Sequence, residues 1–308
     1  MADVAPDGAL VHTEPVGQVG DGTGATCLQD FQQGEHAGGR SGHARKYGAD
    51  TGRLLSGIPP SVWAMATYVL LPGFWLGAWA WRPVAADLRA RGHDVHPLSL
   101  TGMGERAHLA RPDTDVETHI TDVLNLIRYE DLHDVVLVGH SYAGAVVVPS
   151  VADRMPDRIR RMVFIDGGPL PDGMSQAEFV PPEERTRNAE LVREEGHGWQ
   201  LPPPPWHQLA SGVSGLPDGT LERLVRLSVP QPWATATTPV RLTEAWEKLP
   251  RLHVLCGFSV EQVRARIATV PAFRHMATES SAYRELPGWH WPMFDRPGEL
   301  AAILHQTA

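Results

Sequence analysis

From Tyr68 onward the chain alternates between two patterns of apolar and polar positions. Short, largely unbroken apolar runs appear in "TYVLLPG", "DVVLVG", "RMVFID" and "RLHVLC". Such runs suit strands of a parallel sheet covered on both faces. "HDVHPLSL" and "SAYREL" are two further strand candidates. Between them lie segments with apolar residues every three or four positions, the helical period. "WRPVAADLRARG" carries Val84, Ala85 and Leu88 and is closed by Gly92. "DVETHITDVLNLIRYEDL" carries Val116, Ile120, Val123, Leu124 and Ile127 on one face. "SYAGAVVVPSVADRM" follows the third strand, with a kink expected at Pro149. "RPGELAAILHQ" predicts a terminal helix. Strands alternating with helices predict an α/β domain with one doubly wound, mostly parallel sheet.

Two stretches break this rhythm. Residues 1–60 hold 12 of the 30 glycines and little apolar periodicity, too little to offset the entropy of ordering them, so a disordered Gly-rich tail is expected. The remainder, 61–308, is then the folded domain. Within it, residues 168–245 are rich in Pro and Trp, including "LPPPPWHQL". That is too long for a plain loop and predicts an inserted cap with a few short helices.

Composition narrows the function classes. The formal charge of -9 argues against nucleic acid as a partner. The chain has two cysteines, Cys27 and Cys256, too few for a disulfide framework, and no CxxC or HxxxH spacing. A structural metal site is therefore not expected. The GxG at Gly102 and Gly104 is not extended to GxGxxG, which argues against a dinucleotide site. The most apolar stretch, "YVLLPGFWLGAWAW", is short and interrupted by Pro72, Gly73 and Gly77, so a membrane span is not expected. With no secretory signal in "MADVAPDGAL", the expected compartment is the cytoplasm.

The chemistry starts at "VVLVGHSYAGAVVV". Small residues around Ser141, between a strand and a helix, match a Gly-x-Ser-x-Gly nucleophile elbow, with Ala143 in place of the second glycine and Gly144 one further on. A helix N-cap serine is the plainer alternative. The loop "LPGFWLGAWAW" after the first strand would donate a backbone N–H from Phe74 to an oxyanion, and Tyr142 would donate the other. "ELPGWHWPMFDRP" places His290 after the last strand, in the position of a general base.

These motifs, with "LTGMGERAHLARP" and "FIDGGPLPDG", resemble those of the α/β-hydrolase fold superfamily. Within it the chain resembles bacterial esterases of the EstC type, related to plant methylesterases and hydroxynitrile lyases. The resemblance spans about residue 66 to the end and implies the α/β-hydrolase fold without a cofactor. It implies Ser141 as nucleophile, His290 as base, and Phe74 and Tyr142 as oxyanion donors. Two positions depart from the family. The lyases carry a lysine directly after the histidine, where this chain has Trp291, so cyanohydrin cleavage is not expected. The family's acid follows the strand matching "RLHVLC" in a Cys-x-x-Asp pattern, and that position here is Ser259. Asp166, closing "RMVFID", is the first choice as substitute, resembling the arrangement in some haloalkane dehalogenases. Glu261 is its rival, and a dyad without an acid is the third possibility.

Glu105 and Arg106 are expected to organise the loop beside the pocket. Trp75, Trp199, Trp206, Trp233 and Trp246 would line an apolar pocket or pack the cap. The expected function is a serine esterase acting on an ester of a small-to-medium apolar or aromatic compound through an acyl-enzyme. The alternatives are a natural-product tailoring enzyme (acyl transferase, lactonase or non-hydrolytic cyclase) and a catalytically dead ligand-binding module.

Overall fold

The computed structural model describes residues 65–308, so the tail expected over 1–60 lies outside the described residues. Strands form where the apolar runs occur: β1 (Thr67–Leu71), β2 (Asp94–Pro97), β3 (Val135–His140), β4 (Ile159–Ile165), β7 (Arg251–Leu255) and β8 (Ser281–Glu285). They make one six-stranded sheet in the order β2-β1-β3-β4-β7-β8, parallel at every pairing. Successive strand residues point to opposite faces. Tyr68, Leu70, Val136 and Val138 therefore join one apolar cluster, and Val69, Leu71, Val135 and Leu137 the other.

Helices cover both faces. α1 (Arg82–Ala90) contributes Val84, Ala85 and Leu88 to the first cluster. α2 (Val116–Tyr129) contributes Val116, Ile120, Val123 and Ile127 to the second. Asp115 starts α2 by accepting the Thr118 N–H at 3.0 Å. The expected helix after Ser141 is divided. Residues Ala143–Val147 form a π turn, and regular α3 (Val148–Arg154) begins only at Val148. Pro149 thus stands in the first turn of α3, where its missing N–H costs least, and the irregularity falls upstream of it.

The segment between β4 and β7 contains α4 (Gln176–Phe179), α5 (Pro182–Glu194), α6 (Trp206–Leu209), α7 (Thr220–Leu227) and α8 (Ala234–Thr237). A short antiparallel ribbon, β5 (Gln200–Leu201) with β6 (Gln231–Pro232), ties it together. The chain then returns through β7 to α9 (Val260–Ile267), β8, α10 (Pro292–Asp295) and α11 (Pro297–His305). α11 packs Leu300, Ala301 and Leu304 on the same face as α1. No helix among the described residues is long and apolar enough to cross a membrane.

Among the described residues, three histidines are fully buried around the sheet: His119 on α2, His140 ending β3 and His253 in β7. His253 lies between the rings of Phe164 and Tyr283, at centroid distances of 4.9 and 5.3 Å. Burial pushes their pKa values down, to about 4 for His119 and about 3 for His140 and His253. Unfolded histidine titrates near pH ~6.5. Between the folded and unfolded values the unfolded chain binds more protons, so stability falls with falling pH. Each histidine contributes a loss of about 1.4 kcal/mol per pH unit across that window. The melting temperature should therefore drop as pH falls from about 6.5 to 4. His253→Phe keeps a ring in the stack and should flatten that slope; an unchanged slope in calorimetry would refute the assignment.

Candidate active site

The end of β3 turns sharply into the π segment, and Ser141 at the turn has φ +50°. For a non-glycine residue this is a sparsely occupied conformation that the surroundings must hold. The Ser141 N–H donates to the Ile165 carbonyl at 3.0 Å, and its own carbonyl accepts from Ala145 at 2.9 Å. The turn closes by direct contact of two glycines. A methyl group on Gly139 would lie 2.6 Å from the Gly144 nitrogen, and one on Gly144 would lie 2.8 Å from the Gly139 oxygen. The close approach thus falls on Gly144 rather than on Ala143, the position in the sequence pattern.

His290 and Asp166 are brought together by two different strand ends. Asp166 directly follows β4, at φ +43°. Its Oδ2 lies 2.6 Å from His290 Nδ1, and its Oδ1 accepts the N–H groups of Cys256 at 2.9 Å and Gly257 at 3.0 Å. Burial is the largest influence on this carboxyl and acts to raise its pKa. The His290 hydrogen bond and charge, with the two amides, outweigh it and hold the group below the usual carboxylate range. The His290 loop is braced in turn. Asp295 Oδ2 accepts the Trp289 N–H at 3.0 Å, and His140 Nε2–H donates to the His290 carbonyl at 2.7 Å.

Glu261 is not part of this cluster. It is exposed in the first turn of α9, where the helix dipole favours an acid. Ser259 is the N-cap of the same helix. Its side chain accepts the Gln262 N–H at 3.2 Å, and Gln262 Oε1 accepts the Ser259 N–H at 2.8 Å.

Gly73 packs against the elbow: a methyl group there would lie 2.8 Å from His140 Nδ1 and 3.1 Å from Ser141 Cβ. That contact brings the Phe74 backbone beside Tyr142, whose ring centroid is 4.6 Å from that of Phe74. The backbone N–H groups of Phe74 and Tyr142 have no protein acceptor among the described residues. Trp75 fixes the loop from the other side. Its N–H donates to Gln231 Oε1 at 3.1 Å, and its indole N–H to the Leu201 carbonyl at 3.2 Å. Tyr142 is anchored by its hydroxyl, 3.0 Å from His119 Nδ1, while His119 Nε2 donates to the Thr101 carbonyl at 2.9 Å. Arg106 joins Thr101 Oγ1 and Asp122, both at 2.8 Å, organising the neighbouring loop as its motif suggests.

Ser141, His290 and Asp166 line one cavity, together with Phe74, Trp75 and Trp233. Trp199 and Trp206 do not line it, so of the two expectations for them, pocket lining is the one that fails. Trp206 is buried behind the site, 5.0 Å from Trp291 and 6.4 Å from Trp289 between centroids, where it supports the His290 loop. Trp199 is half-buried and accepts the Trp233 N–H through its carbonyl. Trp246 is fully buried beneath the Arg251 guanidinium. Much of the remaining apolar wall comes from Phe179, Phe258, Phe273 and Met276, none of which the sequence pattern singles out. Gln176, Glu184 and Asn188 add polar groups to it. Cys256 is a free, buried thiol whose pKa burial pushes well up.

Residues 68–303 match the model of the alpha/beta hydrolase family. A carbendazim hydrolyzing esterase from Nocardioides sp. (strain SG-4G) is 34% identical over 263 residues, covering 78% of this chain and 98% of that enzyme. Methylesterase 3 from Arabidopsis thaliana is 27% identical over 270 residues, covering 78% of this chain and 95% of the relative. An extracellular alpha/beta-hydrolase from a Paenibacillus species has a similar fold, with a TM-score of 0.66 at 23% identity, over 78% of this chain and 98% of that one. With a family match across most of its length and an esterase relative covered almost end to end, this chain belongs to the α/β-hydrolase family as an esterase of that fold.

Proposed function

We propose that this esterase works through an acyl-enzyme on Ser141 and cleaves an ester of a small-to-medium apolar or aromatic compound. The observation that carries the reading is the 2.6 Å contact between His290 Nδ1 and Asp166 Oδ2, in the cavity that also holds Ser141 at a strained turn. The Ser141 hydroxyl attacks the ester carbonyl while His290 Nε2 takes its proton. Asp166 keeps the imidazole in the tautomer that leaves Nε2 free to accept, and stabilises the imidazolium that forms. The Phe74 and Tyr142 N–H groups receive the developing oxyanion. His290 returns the proton to the departing alcohol, and the acyl group stays on Ser141. Water, deprotonated by His290, then attacks the acyl-enzyme, and the acid leaves with Ser141 restored.

The apolar and aromatic wall of Phe179, Phe258, Phe273 and Trp233 supports an apolar acyl or alcohol group. The relative named for hydrolysing carbendazim makes that compound one member of the ester panel to try. The Asp166 pairing supports an active triad over an inert binding module, while a tailoring enzyme with an altered triad would share it. We infer a cytoplasmic setting from the sequence.

Ser141→Ala should reduce kcat on any accepted ester by on the order of 10⁴-fold or more with the fold intact. Retention of more than a few per cent of wild-type turnover would show the nucleophile to be another residue. Asp166→Asn should lower kcat by on the order of a thousandfold or more. Glu261→Gln, altering an exposed helix start, should stay within about twofold of wild type. A severe loss for Glu261→Gln beside a mild one for Asp166→Asn would reverse the assignment. Mild losses for both would point to a Ser141–His290 dyad.

A further inference from the structure

The cavity wall formed by the segment between β4 and β7 is not uniformly apolar. Glu184 and Asn188 lie four residues apart on α5, so they share one face of the helix. They are 4% and 5% exposed, and both line the cavity of Ser141 and His290. Gln176, the first residue of α4, lines it too. Asn188 Oδ1 and Gln176 Oε1 are shielded from solvent, and neither has a hydrogen-bond partner in the protein. A buried acceptor without a partner is destabilising. Leucine at either place would avoid that penalty, and the wall around them is already rich in Phe and Met. Polar groups placed so in a ligand cavity fix the orientation of what binds there.

The polarity of the missing partner follows from Glu184. An amide can present its carbonyl or its amino side, so Asn188 and Gln176 alone would suit either a donor or an acceptor. A carboxyl group on the same helix face keeps acceptor capacity in either protonation state. Together they favour a donor.

We infer that the preferred ester carries an N–H group, as an amine, amide or N–H heterocycle, away from the scissile bond, and that Asn188, Gln176 and Glu184 recognise it. This rests on the esterase reading only for what happens at Ser141 and His290 in the same cavity.

The test compares near-isosteric pairs: methyl 4-aminophenylacetate with methyl 4-methylphenylacetate, and the two 3-substituted analogues. The wild type should favour the amino ester by about tenfold in kcat/KM in at least one pair, the worth of roughly one well-made buried hydrogen bond. In Asn188→Leu and Gln176→Leu that ratio should collapse toward one. The melting temperature of Asn188→Leu should not fall, because the substitution removes an unpaired acceptor; a clear fall would mark Asn188 as a structural residue and overturn the proposal. Equal kcat/KM within both pairs for the wild type, or a preference untouched by both leucine variants, would also overturn it and leave these groups as sites for trapped water. The same pairs are titrated by calorimetry into Ser141→Ala, where the amino ester should bind about tenfold tighter without any turnover. Failure of the wild type to hydrolyse any of the esters would count against the esterase reading, while these affinities would still decide the recognition proposal.

Discussion

A buried carboxylate is tolerable only when its charge and lone pairs are met, and the pair formed by Asp166 and His290 meets that condition in a way that shapes the whole strand edge. One oxygen of Asp166 is occupied by the Cys256 and Gly257 amides at the end of β7. The other is left for the imidazole. This division requires β4 and β7 to be neighbours, and the sheet order supplies that. The same order sets β4 beside β3, so Asp166 stands next to the strand that carries Ser141. In the proposed triad, an acid at the end of β4 therefore takes the place of one after β7 without any change in topology. Ser259, at the position where the resemblance would put the acid, serves as the N-cap of α9.

The second constraint is the turn itself. Ser141 and Asp166 both have positive φ, a conformation costing of order 1 kcal/mol or more each. Such strain persists only when the surroundings over-determine it. Here the glycine-to-glycine contact closes the turn, and the Ser141 N–H bond to Ile165 at the end of β4 links the two strained residues' strands. β3 is buried throughout and β4 over its last four residues, which makes the strand ends a rigid platform.

Much of this is legible in the amino-acid sequence alone. The unbroken runs at β1, β3, β4 and β7 require cover on both faces, which leads to a parallel sheet with helices on each side. Ser141 and His290 stand in short motifs whose spacing carries a mechanism. Asp166 emerges only because the expected acid position reads Ser259, and the choice between it and Glu261 needs the strand order, which no local pattern contains. The tryptophans mislead for a related reason. Trp206 and Trp233 look alike as aromatic residues of a Pro-rich stretch, yet one supports the His290 loop and the other lines the cavity. Which side a short helix turns inward depends on its docking, and helices of four residues such as α4, α6 and α8 are too short for a periodic signal. Phe258, Phe273 and Met276 give no signal for the same reason: docking, not local pattern, turns them toward the cavity.

The sheet edge and the segment above it are not independent parts. Trp75 belongs to the loop after β1 that carries the Phe74 amide, but its hydrogen bonds go to Gln231 and to the Leu201 carbonyl, on the two strands of the β5–β6 ribbon. The Val229 N–H donates back to the Trp75 carbonyl. Gln231 is itself held by Thr235 at the start of α8. Three hydrogen bonds thus join the loop beside the elbow to the segment that contributes much of the cavity wall. Trp75 also has positive φ, so its backbone relies on those bonds for its shape. A displacement of the ribbon would reach the Phe74 amide directly, through one residue. The position of the Phe74 N–H, the proposed oxyanion donor, is therefore set as much by how the ribbon seats as by the sheet beneath it.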